Sequence, residues 1–210
     1  MGCSHKFADN LLLEHLDFKP TTLIVGTFNP GWGRLENTAE WFYGRTRNNY
    51  FWDVLPRLHG EKSLRQATPA EWKTFCKQYR IALTDLIASI NDADSHDSQH
   101  HNYLQSYRDD LIVRHFHEFS FVNIQSLFAR HPTLTQVCLT RSINEPFWRQ
   151  LWQPVIAYDQ QHGIKVTALL TPSGSARFQV PKGAKVSLPD FILEQWRKAG
   201  IKTNVLQDAN

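Results

Sequence analysis

Two short segments of this 210-residue chain combine residue types able to do chemistry with the composition of loops. The first is Gly26-Thr27-Phe28-Asn29-Pro30-Gly31, which sets an aromatic ring beside a carboxamide. A carboxamide is an uncharged donor and acceptor, suited to holding a water or the edge of a heterocyclic base. An aromatic ring next to it can stack on a planar ligand. The second is Thr171-Pro172-Ser173-Gly174-Ser175-Ala176-Arg177-Phe178. Serine hydroxyls and backbone N–H groups suit phosphate oxygens, and an arginine beside an apolar side chain suits insertion into a nucleic-acid duplex. Taken singly, each segment also reads as an ordinary turn, because Asn, Pro, Gly and Ser are the commonest turn residues.

The elements that must position these loops are legible in the hydrophobic pattern. Residues 21–26 (TTLIVG) form a β-branched run ending at Gly, as in a buried strand feeding a loop. Residues 165–170 (KVTALL) precede the second loop in the same way, and residues 81–87 (IALTDLI, with Thr84-Asp85 at the polar end) and 135–140 (TQVCLT) supply two more strands. Thr68-Pro69-Ala70-Glu71 is a capping box with Pro in the first turn, followed by Trp72, Phe75, Cys76 and Tyr79 at helical spacing. Further helices are expected over 49–58 (ending around Pro56), 111–119, 123–130, 144–161 (Asn144 as N-cap, Pro146 in the first turn) and 189–199, the last closed by Gly200. Residues 89–102 are polar and aperiodic and read as a surface loop. Its His96, Asp97, His100 and His101 match no standard metal-ligand spacing, so a solvated loop is the expectation. Strands separated by helices predict one three-layer α/β/α domain over residues 1–210, with a central, mostly parallel four-stranded sheet. In such sheets ligands bind outside the carboxyl ends of the strands, where both loops would lie.

Composition narrows the functional classes. Seven Trp and thirteen Phe are too many for a disordered polymer, and a sizeable core is expected. No apolar run approaches the roughly 20 residues needed to span a bilayer. The N-terminus lacks the pattern of a signal peptide, and Met1-Gly2-Cys3 departs from an acylation signal at Lys6. Cys3, Cys76 and Cys138 are odd in number and far apart, as expected of buried or incidental thiols in a reducing cytoplasm. The formal charge is only +3, yet residues 171–202 hold six basic side chains (Arg177, Lys182, Lys185, Arg197, Lys198, Lys202) against Asp190 and Glu194. Placement therefore says more than the sum.

A third segment, Trp41-Phe42-Tyr43-Gly44-Arg45-Thr46-Arg47-Asn48-Asn49-Tyr50-Phe51-Trp52, makes the pattern far more specific. A strand into GTFNPG, then Tyr43 and Asn48-Asn49-Tyr50-Phe51-Trp52, then IALTDLI, then a strand into TPSGSAR resembles the uracil-DNA glycosylase superfamily. The likeness is nearest to the mismatch-specific uracil/thymine-DNA glycosylase branch. Around the Asn-aromatic-Trp segment the hypoxanthine-DNA glycosylase branch is also similar. It runs over about residues 23–177. In the first motif Thr27 and Phe28 both separate Gly26 from Asn29, one residue more than the family's Gly-x-Asn-Pro-Gly. In the last, Thr171 precedes Pro172 where some branches carry Asn or His.

The resemblance implies an enzyme that flips a damaged base from DNA and hydrolyses its N-glycosidic bond, with no metal or cofactor. Asn29 would orient the attacking water; Phe28 or Tyr43 would stack on the base; Asn49 or Asn48 would contact its edge. Ser173 and Ser175 would grip flanking phosphates, Arg177 would fill the gap or bind phosphate, and Arg45 and Arg47 would contact the backbone. Phe51 and Trp52 read as packing residues. Asn is not a strong general base, so such a site favours good leaving groups or mispaired bases. Branches with an iron–sulfur cluster need four cysteines and are excluded by three. The expected partner is DNA holding uracil, mispaired thymine or hypoxanthine, bound by a monomer with no membrane attachment. The alternative is a catalytically weak or inactive nucleic-acid-binding member of the superfamily. An enzyme acting on small nucleosides is more remote.

Overall fold

Residues buried on both faces of a strand belong inside a parallel sheet, and all five residues of Thr22–Gly26 are buried. The computed structural model describes residues 2–32, 39–44, 47–141 and 143–201, with the backbone alone at 159–161. In chain order the elements begin with β1 (Cys3–Ser4), α1 (Ala8–Leu11), β2 (Thr22–Gly26), α2 (Phe51–Leu58) and α3 (Pro69–Gln78). Next come β3 (Ile81–Asp85), β4 (Ile87–Ile90), α4 (Ser98–Gln105), α5 (Asp109–His115) and β5 (Phe119–Phe121). The chain continues through α6 (Ile124–Arg130), β6 (Gln136–Leu139), α7 (Pro146–His162) and β7 (Lys165–Ala168), then a 3-10 turn (Gly174–Gln179) and α8 (Leu188–Ala199).

The central sheet has the order β3-β2-β6-β7 with every pairing parallel, flanked by helices. The expected α/β class and four-stranded sheet are therefore present. A second, antiparallel sheet of order β1-β4-β5 was not expected. Residues 81–87 are not one strand. The ladder continues past Asp85 through Leu86 N–H to Gly26 O and Ile87 N–H to Thr27 O. The chain then leaves for the second sheet without an intervening loop, so its apolar run hid the break.

Local chemistry explains several helix ends. Thr68 and Glu71 form the full capping box of α3. Asn123 caps α6 and Ser187 caps α8, which ends at Gly200 in the left-handed conformation (φ 71°) that Gly tolerates best. Pro56 lies inside α2 rather than ending it. Proline has no N–H to bond Trp52 O, and Leu64 N–H takes that carbonyl at 2.8 Å instead.

Two expectations need correction. Residues 89–102 are not simply a loop, since they include the end of β4 and the start of α4. Asp97 caps α4 through Gln99 N–H, while His100 Nδ1 accepts from Asp94 N–H and His101 bonds Ser95 O. These residues thus serve local structure. Residues 111–119 are helical only to His115, and Phe119 already belongs to β5.

The aromatic load forms much of the core. Trp72, Trp148, Trp152 and Trp196 are fully buried, and Trp41, Trp52 and Trp72 stack in series at 5.8 and 5.1 Å. The three cysteines are buried thiols, and burial pushes Cys138 up to about 12. Among the described residues no helix is long and apolar enough to cross a membrane.

Candidate active site

All four parallel strands contribute at their carboxyl ends to one small cavity of about 80 Å³. β2 supplies Gly26 and the following Thr27, Phe28 and Asn29; β3 supplies Asp85; Thr140 follows β6; and Thr171, Pro172 and Ser173 follow β7. Tyr43, Asn49, Tyr107 and Asp109 complete the wall. The cavity adjoins a broad cleft of about 1340 Å³, with which it shares Tyr107, Asp109, Thr140, Thr171 and Ser173. Eighty cubic ångströms cannot hold a whole nucleotide, so a ligand of that size would leave most of itself in the cleft.

Buried polar groups need partners, and here the partners define the chemistry. Asn29 Nδ2 donates to Asp85 Oδ2 at 2.6 Å, and His5 Nε2 lies 2.8 Å from the same oxygen. A carboxylate only accepts, so this bond fixes the Asn29 amide with its nitrogen toward Asp85 and its oxygen turned away. His5 reaches the site because its segment bridges Pro30 and because His5 N–H bonds Ala88 O.

Tyr43 is held from two directions. Its ring stacks on Phe51 at 3.9 Å, and its hydroxyl lies 2.9 Å from Thr140 Oγ1. Thr140 Oγ1 also reaches Val25 O at 3.3 Å, which leaves Tyr43 as the donor between the two hydroxyls. Burial, and then the charge of Asp85, push the Tyr43 hydroxyl well above its ordinary value, so it stays protonated. Tyr43 and Tyr107, both lining the cavity, have positive φ (58° and 51°), a strained state for such residues that clusters at functional sites.

Asn49 and Asn48 face different spaces. Asn49 Oδ1 accepts from Phe51 N–H at 2.9 Å, leaving Nδ2 as the available donor, and Asn49 lines the cavity. Asn48 lines the cleft instead. Phe28 lines the cavity but is also buried core, its ring edge-on to His5 at 5.6 Å. The residues 48–50 and the loop after β7 are tied together by backbone bonds: Asn49 bridges Ser173, Tyr50 N–H donates to Pro172 O, and Gly174 N–H donates to Asn48 O. One motif therefore sets the position of the other.

Ser173, Ser175 and Arg177 line the cleft. Ser173 and Ser175 hydroxyls lie 2.7 Å apart, Thr171 donates to Ser173 at 3.1 Å, and Arg177 Nε donates to Gly174 O. Phe178 beside them is 86% exposed. Of the other cleft cations, Arg108 is paired with Asp110, Arg141 with Asp109 and Glu145, and Lys198 with Glu194. Arg47 is exposed, its carbonyl bonded by Arg65, and lines neither space; Arg45 lies outside the described residues, as does Lys202.

Sequence reasoning passed over His5, Asp85, Thr140, Tyr107 and Asp109. Asp85 did carry a signal, a charged residue at the end of an apolar strand. His5 carried none, since only the fold brings it to a partner 80 positions away.

No protein-family model and no curated protein matches this chain. Among solved structures it is similar to the solution NMR structure of a protein described as a "putative Uracil DNA glycosylase" from Methanosarcina acetivorans. The TM-score is 0.53 at 16% identity, over 88% of this chain and 93% of that one. At that identity the likeness shows the fold alone, an α/β arrangement around a four-stranded parallel sheet.

Proposed function

We propose that this chain is a monofunctional DNA N-glycosylase acting on uracil, mispaired thymine or hypoxanthine. What carries the reading is the small polar cavity at the strand ends, opening onto a cleft edged by hydroxyls, Arg177 and the exposed Phe178. A flipped base enters the cavity while its sugar and phosphates stay in the cleft. Tyr43 and Phe28 contact the base face, and Asn49 Nδ2 donates to a carbonyl on its edge, a feature common to the three candidate bases. The Asn29 carboxamide oxygen orients the attacking water. Ser173 and Ser175 hold phosphates, Arg45, Arg47 and Arg177 contact the backbone, and Phe178 beside Arg177 fills the gap left in the stack. The enzyme works as one domain and as a monomer in a reducing compartment, without metal or cofactor.

The test is incubation with end-labelled duplexes carrying uracil or thymine opposite guanine, or hypoxanthine opposite thymine, followed by alkaline cleavage at abasic sites. Cleavage of at least one duplex is expected. Salt-dependent binding of all three with cleavage of none would instead identify an inactive nucleic-acid-binding protein.

A further inference from the structure

Among the described residues Asp85 is the only acidic side chain that is buried, 2% exposed at the end of β3. Burying a carboxylate costs several kcal/mol unless it is paired and hydrogen-bonded, and here the two oxygens are treated differently. Oδ2 accepts twice, from His5 Nε2 at 2.8 Å and Asn29 Nδ2 at 2.6 Å. The His5 tautomer follows from the chain itself: Phe7 N–H donates to Nδ1 at 2.9 Å, so a neutral ring carries its proton on Nε2 and aims it at Asp85. Oδ1 has no hydrogen-bond partner among the described residues, and Asp85 lines the cavity. The same oxygen lies close over the Cα of Gly26, near the Tyr43 hydroxyl.

We propose that Asp85 is the general base of the hydrolysis, its Oδ1 taking the proton of the water that Asn29 orients. The proposal rests on the glycosylase reading and supplies what an asparagine cannot, a group able to accept a proton. As the water oxygen bonds to C1′ of the sugar, the N-glycosidic bond breaks and its electron pair leaves with the base. The water's proton passes to Asp85 Oδ1 and then to solvent, and the departing base anion takes up one proton from solvent. One water is consumed, giving a free base and an abasic sugar. His5 is a positioning residue: together with the Asn29 amide it pins Oδ2, which keeps Oδ1 toward the cavity.

The experiment compares full-length wild type, Asp85→Asn and Asp85→Ala in single-turnover excision on whichever lesion duplex the wild type cleaves, with DNA affinity and thermal unfolding measured alongside. Asp85→Asn is expected to slow excision at least about 100-fold, the scale of general-base catalysis, with DNA affinity within about threefold. Asp85→Ala is expected to be equally slow and to gain at least about tenfold when sodium formate supplies a carboxylate to the vacated site. An Asp85→Asn rate within about threefold of wild type overturns the proposal and leaves the glycosylase reading intact. A slow Asp85→Ala protein that formate does not accelerate also overturns it, marking Asp85 as structural. A wild type that releases no base from any duplex removes both readings together.

Discussion

Gly26 ends β2 where its Cα faces Asp85 Oδ1 and the Tyr43 hydroxyl. A Cβ added there would stand 2.2 Å from Asp85 Oδ1 and 2.7 Å from Tyr43 Oη, against an ordinary contact starting at 3.4 Å. In Gly26→Ala the carboxylate oxygen must therefore retreat by about 1 Å, and the tyrosine by somewhat less. Neither can swing freely: Asp85 Oδ2 is held by two bonds and the Tyr43 ring is stacked on Phe51. A misplacement of about 1 Å in a reacting group costs on the order of 100-fold in rate. Stretching the buried bonds costs about 1–3 kcal/mol. Single-turnover excision by Gly26→Ala should thus be about 100-fold slower than wild type, and urea unfolding should show a loss of about 2 kcal/mol. DNA affinity should stay within about threefold, because the cleft-lining loop after β7 is untouched. A variant that excises within about threefold of wild type would refute the claim that this crowded pair of oxygens is catalytic geometry.

Asn29→Asp would set a second carboxylate 2.6 Å from Asp85. Two such groups cannot both ionise cheaply, so the pair's upper apparent pKa rises above the unfolded value. The penalty is present at neutral pH and relieved on acidification, so the variant's deficit in urea unfolding should shrink from pH 7 to pH 5; a constant deficit contradicts this. His59 is buried between Phe75 and Tyr79 with no partner on either ring nitrogen among the described residues, and burial lowers it to about 4. Since the unfolded chain binds this proton near 6.5, the neutral ring's contribution is complete above that pH. About 2–3 kcal/mol is then lost as pH falls toward 4. His59→Leu should remove this slope in unfolding free energy between pH 7 and pH 4, and an unchanged slope sinks the assignment. Arg177→Ala should weaken binding to all duplexes alike and reduce the salt slope by about one, whereas Phe178→Ala should leave the slope and slow excision. A lesion-specific loss of binding in Arg177→Ala would argue against a backbone role.

Three of the four parallel strands, β2, β6 and β7, were legible as short apolar runs ending in loops, and the loops after β2 and β7 announced themselves by unusual composition. What stayed hidden was hidden for physical reasons. β3 and β4 read as one run because Leu86 and Ile87 keep hydrogen-bonding to β2's loop while the chain changes sheets. β1 and β5 are two and three residues long, too short for a period to register. α4 buries only Leu104 and gains its start from the Asp97 cap, so its polar sequence resembled a loop. The role suggested for Asn29 could be read from its motif, but the Asp85 and His5 that fix its amide could not. Their contact depends on strand order and on an N-terminal segment folding back over β4, which no local spacing encodes. Likewise, that Asn49 lines the cavity and Asn48 the cleft depends on how residues 48–50 pair with the loop after β7, which no local spacing encodes.

The central claim is that the cavity at the strand ends releases a base by hydrolysis. Mass spectrometry of the reaction with a duplex carrying uracil or thymine opposite guanine, or hypoxanthine opposite thymine, measures this directly. The account predicts free base together with an intact strand bearing one abasic sugar, for at least one of the three. No free base from any of them, under conditions where the duplexes are bound, would contradict it.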